Sequence, residues 1–170
     1  MKRIKSILIT TALILGISTA VSAQSKVAHI ASQELVNQMP SYKSAMGELE
    51  KLQTTYDAEI KNMLTELQNT VKRFQSEEAT KTQEENAKRA VELQSTEKTI
   101  AEYRQNALKD LQQKEVELLK PVIENARVIV QKVARAKGYE YVLDSTTGTG
   151  VIMADGYDLM SDVKAELGIN

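Results

Sequence analysis

The chain has 170 residues, room for one domain of ordinary size, and carries 22 Lys and Arg against 23 Asp and Glu. It has no Cys, no Trp and a single Phe, which excludes disulfide stapling and the bulky aromatic core of a compact globular enzyme. A charge balance this close to neutral argues against general nucleic-acid binding, which needs a basic surface.

Residues 1–23 read as a secretory signal peptide. Lys2, Arg3 and Lys5 form a positive start, Ile7 to Ile17 is a short uncharged apolar run, and Val21-Ser22-Ala23 is a small-residue cleavage signal. The run is shorter than the about 20 apolar residues of a spanning helix, and no Cys follows it to carry a lipid. The mature chain is expected to start at Gln24 and to be soluble. Without the three leader cations, 19 Lys and Arg face 23 Asp and Glu, a formal charge of −4.

Lys26 to Ile30 alternates as a short strand does. Ser32 is a candidate N-cap for a short helix over 33–39, which Pro40 ends or kinks because it lacks an N–H and clashes with the preceding turn. Ser41 is then a candidate cap for a long helix. Its larger apolar positions, from Tyr42, Met46 and Leu49 to Val71 and Phe74, recur at steps of three and four along one face. Leu49, Ile60 and Val71 are eleven apart, a spacing that favours a straight or slightly right-handed pairing.

Residues 76–98 are almost wholly polar, and the turn of a hairpin is expected there. A second stripe follows, from Ile100, Tyr103, Ala107 and Leu108 through Leu111, Val116, Leu119, Val122 and Ile123 to Val133, with Pro121 expected to kink it. Gly138 is a C-cap candidate behind Lys132, Arg135 and Lys137, where cations suit the helix dipole. The period then changes to two. Strands are expected at 139–143 and 151–154, joined by the turn 144–150, and Ser161 is a candidate cap for a last short helix to Leu167.

The expected fold is mainly α with a small β head: a long antiparallel helical hairpin whose two chain ends return to supply short strands. The arm is placed at 41–120 with its tip near 76–98, and the head at 24–40 and 121–170. Two or three short strands are barely stable alone and leave edges open, so the head is expected to form a β-barrel-like oligomer with other copies of the chain.

No residue pattern points to catalysis. His29 is the only histidine and has no orienting partner in the sequence. There is no metal-ligand spacing, and Gly148-Thr149-Gly150 lacks the Gly-Lys-Ser/Thr of a phosphate loop. Neither an enzyme nor any cofactor or metal is expected.

The flanks carry a resemblance. Lys26 to Leu35, Met39-Pro40-Ser41-Tyr42, Leu118 to Ile123, Val133 to Asp144 with its Lys-Gly-Tyr and Val-Leu-Asp, and the closing Asp158-Leu-Met-Ser-Asp-Val163 resemble the Skp (OmpH-like) periplasmic chaperone family. The resemblance spans the mature chain. It implies a homotrimer whose strands form a barrel-like head and whose hairpins surround a cavity. It also implies an ATP-independent holdase in the periplasm that keeps unfolded outer-membrane proteins from aggregating. Members of the family are often strongly basic, in connection with anionic lipopolysaccharide, and the charge of −4 departs from that. At most a weak contact with anionic lipid is expected, through Lys72, Arg73, Lys81, Lys88 and Arg89 near the tips.

Val27, Ile30, Tyr141, Leu143, Val151 and Ile152 are expected to build the oligomeric head. Tyr56, Met63, Leu67, Phe74 and Tyr103 are candidate client contacts, or equally the seam between the two helices. Composition and periodicity alone leave a rival reading open, a structural coiled-coil spacer or scaffold of the cell envelope.

Overall fold

The computed structural model describes residues 25–169, so the expected signal peptide lies outside it. Strand β1 (Val27–Ile30) leads into helix α1 (Ser32–Gln38). Ser32 is not the cap of α1. It is its first residue, behind Ala31. Met39 is extended, and Pro40 opens α2 (Pro40–Glu77) at the position where a missing N–H costs nothing. Proline thus separates the two helices and starts the second, which displaces the expected cap at Ser41.

Helix α2 has 38 residues, on the order of 57 Å. The reversal is compact: one 3₁₀ turn (Glu78–Thr80), extended Lys81, and Thr82 as the N-cap of α3 (Gln83–Ala136, 54 residues). Thr82 Oγ1 accepts from the Glu85 amide at 3.2 Å, and the Glu85 carboxylate accepts from the Thr82 amide at 2.9 Å. The tip expected at 76–98 is therefore shorter, since residues 83–98 are helix. Lack of large apolar side chains marks a segment as unburied, not as non-helical, and its Ala, Glu, Lys, Gln and Arg residues are good helix formers.

Helix α3 continues through Pro121 and ends where expected. Gly138 adopts φ 75°, its amide donates to Arg135 O at 3.0 Å, and the Tyr139 amide donates to Ala134 O at 2.9 Å. This pair of bonds closes a Schellman motif, which needs the left-handed conformation glycine adopts without strain.

Strands β2 (Tyr141–Asp144) and β3 (Tyr157–Asp158) flank β1 in the order β2-β1-β3, both parallel to it. Val27 lies opposite Tyr141 and His29 opposite Leu143; on the other edge His29 is opposite Asp158. Two expectations are corrected here. Residues 151–154 are not a strand, because the second edge of β1 is taken by 157–158 and nothing among the described residues pairs with them. The sheet is also small and open, not a closed barrel. The last helix, α4 (Met160–Leu167), starts one residue before Ser161; Met160 donates its amide to the Asp158 carboxylate at 2.8 Å.

One face of the sheet forms the core. Ala28 and Ile30 of β1 pack with Leu35 and Val36 of α1, Met39, Val122, Ala126, Val133 and Ala134 of α3, and Leu159 and Val163 at α4. The last turns of the 54-residue helix therefore belong to the head, and the rest of it pairs with α2 as the arm.

Candidate functional site

The arm is a two-helix structure with a narrow seam. Ala45, Ile100 and Ala107 are its buried positions. The small side chains let the backbones approach. Tyr56 and Tyr103 meet edge to face across the seam, ring centroids 6.1 Å apart. Each hydroxyl donates to a carboxylate on the opposite helix, Tyr56 to Asp110 at 2.7 Å and Tyr103 to Glu59. That bond to Asp110, with partial desolvation and the nearby negative charge, raises the Tyr56 phenol above its ordinary range. Tyr56, Met63, Leu67, Phe74 and Tyr103 are all half-buried.

At the tip the basic residues are largely engaged. Arg89 lies over the Phe74 ring at 4.6 Å and pairs with Glu77 on the other helix, while Arg73 approaches the same ring at 5.2 Å. Lys88 pairs with Glu84 at 2.8 Å and Lys81 reaches Glu85 at 3.9 Å. Lys72 is exposed. The five cations are not gathered into one basic patch, because carboxylates of the same short turn are interleaved among them.

Exposed apolar residues lie elsewhere on the arm, Met46, Val91, Leu108 and Val116, with Ile123 and Val128 on the head end of α3. Two adjacent pairs show why. In the seam Ala107 is 5% exposed and Leu108 is 63%; in the head core Val122 is 7% and Ile123 is 53%. Neighbours on a helix are about 100° apart, so a narrow contact can take only one of each pair. Leu108 and Ile123 belong to the apolar stripe read from the sequence, and their adjacency to buried residues is the signal that sends them outward. Near the base, Tyr42, Met46, Leu49, Leu108 and Leu111 line a groove of about 710 Å³ between the helices.

In the head, Val27, Tyr141 and Leu143 occupy the sheet face away from the core and are exposed. Ile30 lies on the other face, in the core. Val151 and Ile152 lie outside the sheet, in the connection between β2 and β3. His29 bridges the two ends of that connection: Nδ1 is 3.2 Å from Ser145 Oγ, and Nε2 is 3.2 Å from Gly156 O. His29 thus has a structural role as a tether.

The family model described as "Outer membrane protein (OmpH-like)" matches residues 26–167. A crystal structure of an OmpH-like protein from Caulobacter crescentus superposes with a TM-score of 0.76 over 88% of each chain, at 22% sequence identity. That identity makes the likeness one of fold. No curated protein matches the sequence significantly.

Proposed function

Because the chain belongs to the OmpH-like outer membrane protein family, we propose that it is an ATP-independent holding chaperone of the periplasm, whose clients are unfolded outer-membrane proteins. The observation that carries this reading is the row of large apolar side chains left in solvent along a thin arm, Leu108 and Val116 among them. A spacer gains nothing from them and risks aggregation. An unfolded barrel strand alternates apolar and polar residues, so each contact is weak, and several arms around one client add such contacts through effective concentration. The exposed face formed by Val27, Tyr141 and Leu143 is the surface through which three copies would assemble a common head.

A holdase lowers the concentration of free unfolded chain and so slows its aggregation. The test dilutes a denatured outer-membrane barrel protein out of urea with and without the chain from Gln24 to Asn170, no nucleotide present, and follows light scattering. Suppression at about three chains per client is the expected result for a trimer. No suppression at a clear molar excess overturns the reading in favour of an envelope spacer or scaffold.

A further inference from the structure

We propose that Met46 is a reversible oxidation site of the arm: hypochlorous acid converts its thioether to the sulfoxide, and the groove it lines then captures unfolded client less well. The inference rests on the holding-chaperone reading above and gives that site a regulator.

The chain has no cysteine. With no thiol to react first, its thioethers are the softest nucleophiles it offers an oxidant, and exposure decides which of them is reached. Met39 is 2% exposed, in the core of the head. Met63 and Met160 are half-buried. Met46 is 41% exposed and Met153 is 76%. Of these two, Met153 lies in the connection between β2 and β3, whereas Met46 stands on the arm, where client capture is placed.

Met46 opens onto the groove of about 710 Å³ between α2 and α3, beside Tyr42, Leu49, Leu108 and Leu111. The wall next to it is low. Gly47 carries no side chain, and a Cβ at that position would meet no atom within 4 Å. The sulfur is thus open to a small oxidant and at the same time part of an apolar surface.

The chemistry balances without a cofactor. The sulfur lone pair attacks the chlorine of hypochlorous acid, giving a chlorosulfonium ion and hydroxide. Water then adds at sulfur, chloride leaves, and two protons are released, one of them to the hydroxide. Sulfur has lost two electrons and gained one oxygen, and chlorine has been reduced to chloride. A methionine sulfoxide reductase reverses the change, taking two electrons from a dithiol and releasing the oxygen as water.

The product carries a strong acceptor on a side chain that was apolar. Lys43, exposed one turn earlier on the same groove, can donate to it, so the arm keeps its helix. A client side chain laid into the groove meets the opposite. It strips water from the sulfoxide oxygen and offers no donor in return. The groove therefore turns polar while the fold stands, which a buried methionine such as Met39 does not allow.

The test treats the chain from Gln24 to Asn170 with hypochlorous acid, quenches with free methionine, and maps the sulfoxides by peptide mass. Met46 is expected to be oxidised before Met39, Met63 and Met160. In the dilution assay the treated chain is expected to be needed at about fourfold higher concentration for equal suppression, the equivalent of one buried methylene. Its helical circular dichroism is expected to persist, and sulfoxide reductase with dithiothreitol to restore suppression. Met46→Leu has no sulfur at this site and, whatever its starting level, is expected to suppress equally before and after oxidant, whereas Met153→Leu stays sensitive. Met46→Gln puts a polar group in the groove and is expected to weaken suppression with no oxidant present. The proposal is overturned, with the chaperone reading left standing, by a Met46 sulfoxide chain that suppresses as well as the untreated one, by oxidation of Met63 or Met160 ahead of Met46, or by a Met46→Leu chain that still loses suppression on treatment. An untreated native chain that suppresses nothing overturns both.

Discussion

The carboxylate of Asp144, the last residue of β2, accepts from the hydroxyl of Ser32 at 2.5 Å and from its amide at 3.2 Å. The same carboxylate accepts from the Thr146 amide at 3.0 Å and hydroxyl at 2.6 Å. One side chain near the end of the sequence therefore caps the first turn of α1 near its beginning and holds the turn that follows β2. The two ends of the chain are joined at this point.

Partial burial pushes the Asp144 carboxyl up, but the hydrogen bonds from Ser32 and Thr146 outweigh it and hold the group at about 2, below the usual 3.8. A group depressed in the folded state stabilises that state above its unfolded value, and the contribution is lost as pH falls through the folded value. Asp144→Asn replaces a charged acceptor by an amide that accepts fewer and weaker hydrogen bonds, and is expected to cost about 1 kcal/mol at neutral pH. Urea melts of both proteins at one concentration should show the difference shrinking as pH falls from 3.8 toward 2.

Phe74 anchors the tip by holding Arg73 and Arg89 on its ring. Phe74→Ala is expected to speed amide exchange across residues 71–93 while leaving the exchange of β1 and the last turns of α3 unchanged, since thin regions with few buried contacts open independently of the core. Faster exchange throughout the head would contradict this division.

Leu108 and Val116 are exposed on the arm, so replacing both with Ser is expected to leave the helical signal and urea midpoint nearly unchanged while weakening suppression of client aggregation. Ile100→Ala is the contrasting variant: its side chain is buried in the seam, and its loss is expected to destabilise the arm by about 2 kcal/mol. If the Ser pair suppresses aggregation as well as the native chain, the client surface lies elsewhere.

Leu143 sits on the exposed sheet face opposite His29. Leu143→Asp is expected to dissociate the trimer, because a carboxylate in an apolar interface loses its hydration without gaining a partner. Sedimentation of the variant at trimer mass would rule this face out as the interface.

The two long helices, the return of the chain, the helix stop at Gly138 and the strand at 27–30 were legible from local patterns: apolar spacing, composition and turn residues. Pro40 marked a boundary, though its role as the first residue of α2 depended on which side of it the backbone became extended. Local pattern misread 83–98 as tip because it tracks burial, and a well-solvated helix has none to track.

What the sequence by itself determined is therefore the set of elements that depend on neighbours within a turn or two: the helices of the arm, the glycine stop at Gly138, and which segments have strand-forming character. Tertiary structure alone decided how distant segments use one another. It put β3 at 157–158 on the second edge of β1 and left 151–154 unpaired. It turned Asp144 into the cap of α1, and it chose Ala107 over Leu108 for the seam. The physical reason is that a helix closes its own hydrogen bonds within the segment, whereas a strand edge, a cross-chain cap or a seam is completed only by residues far away in the chain.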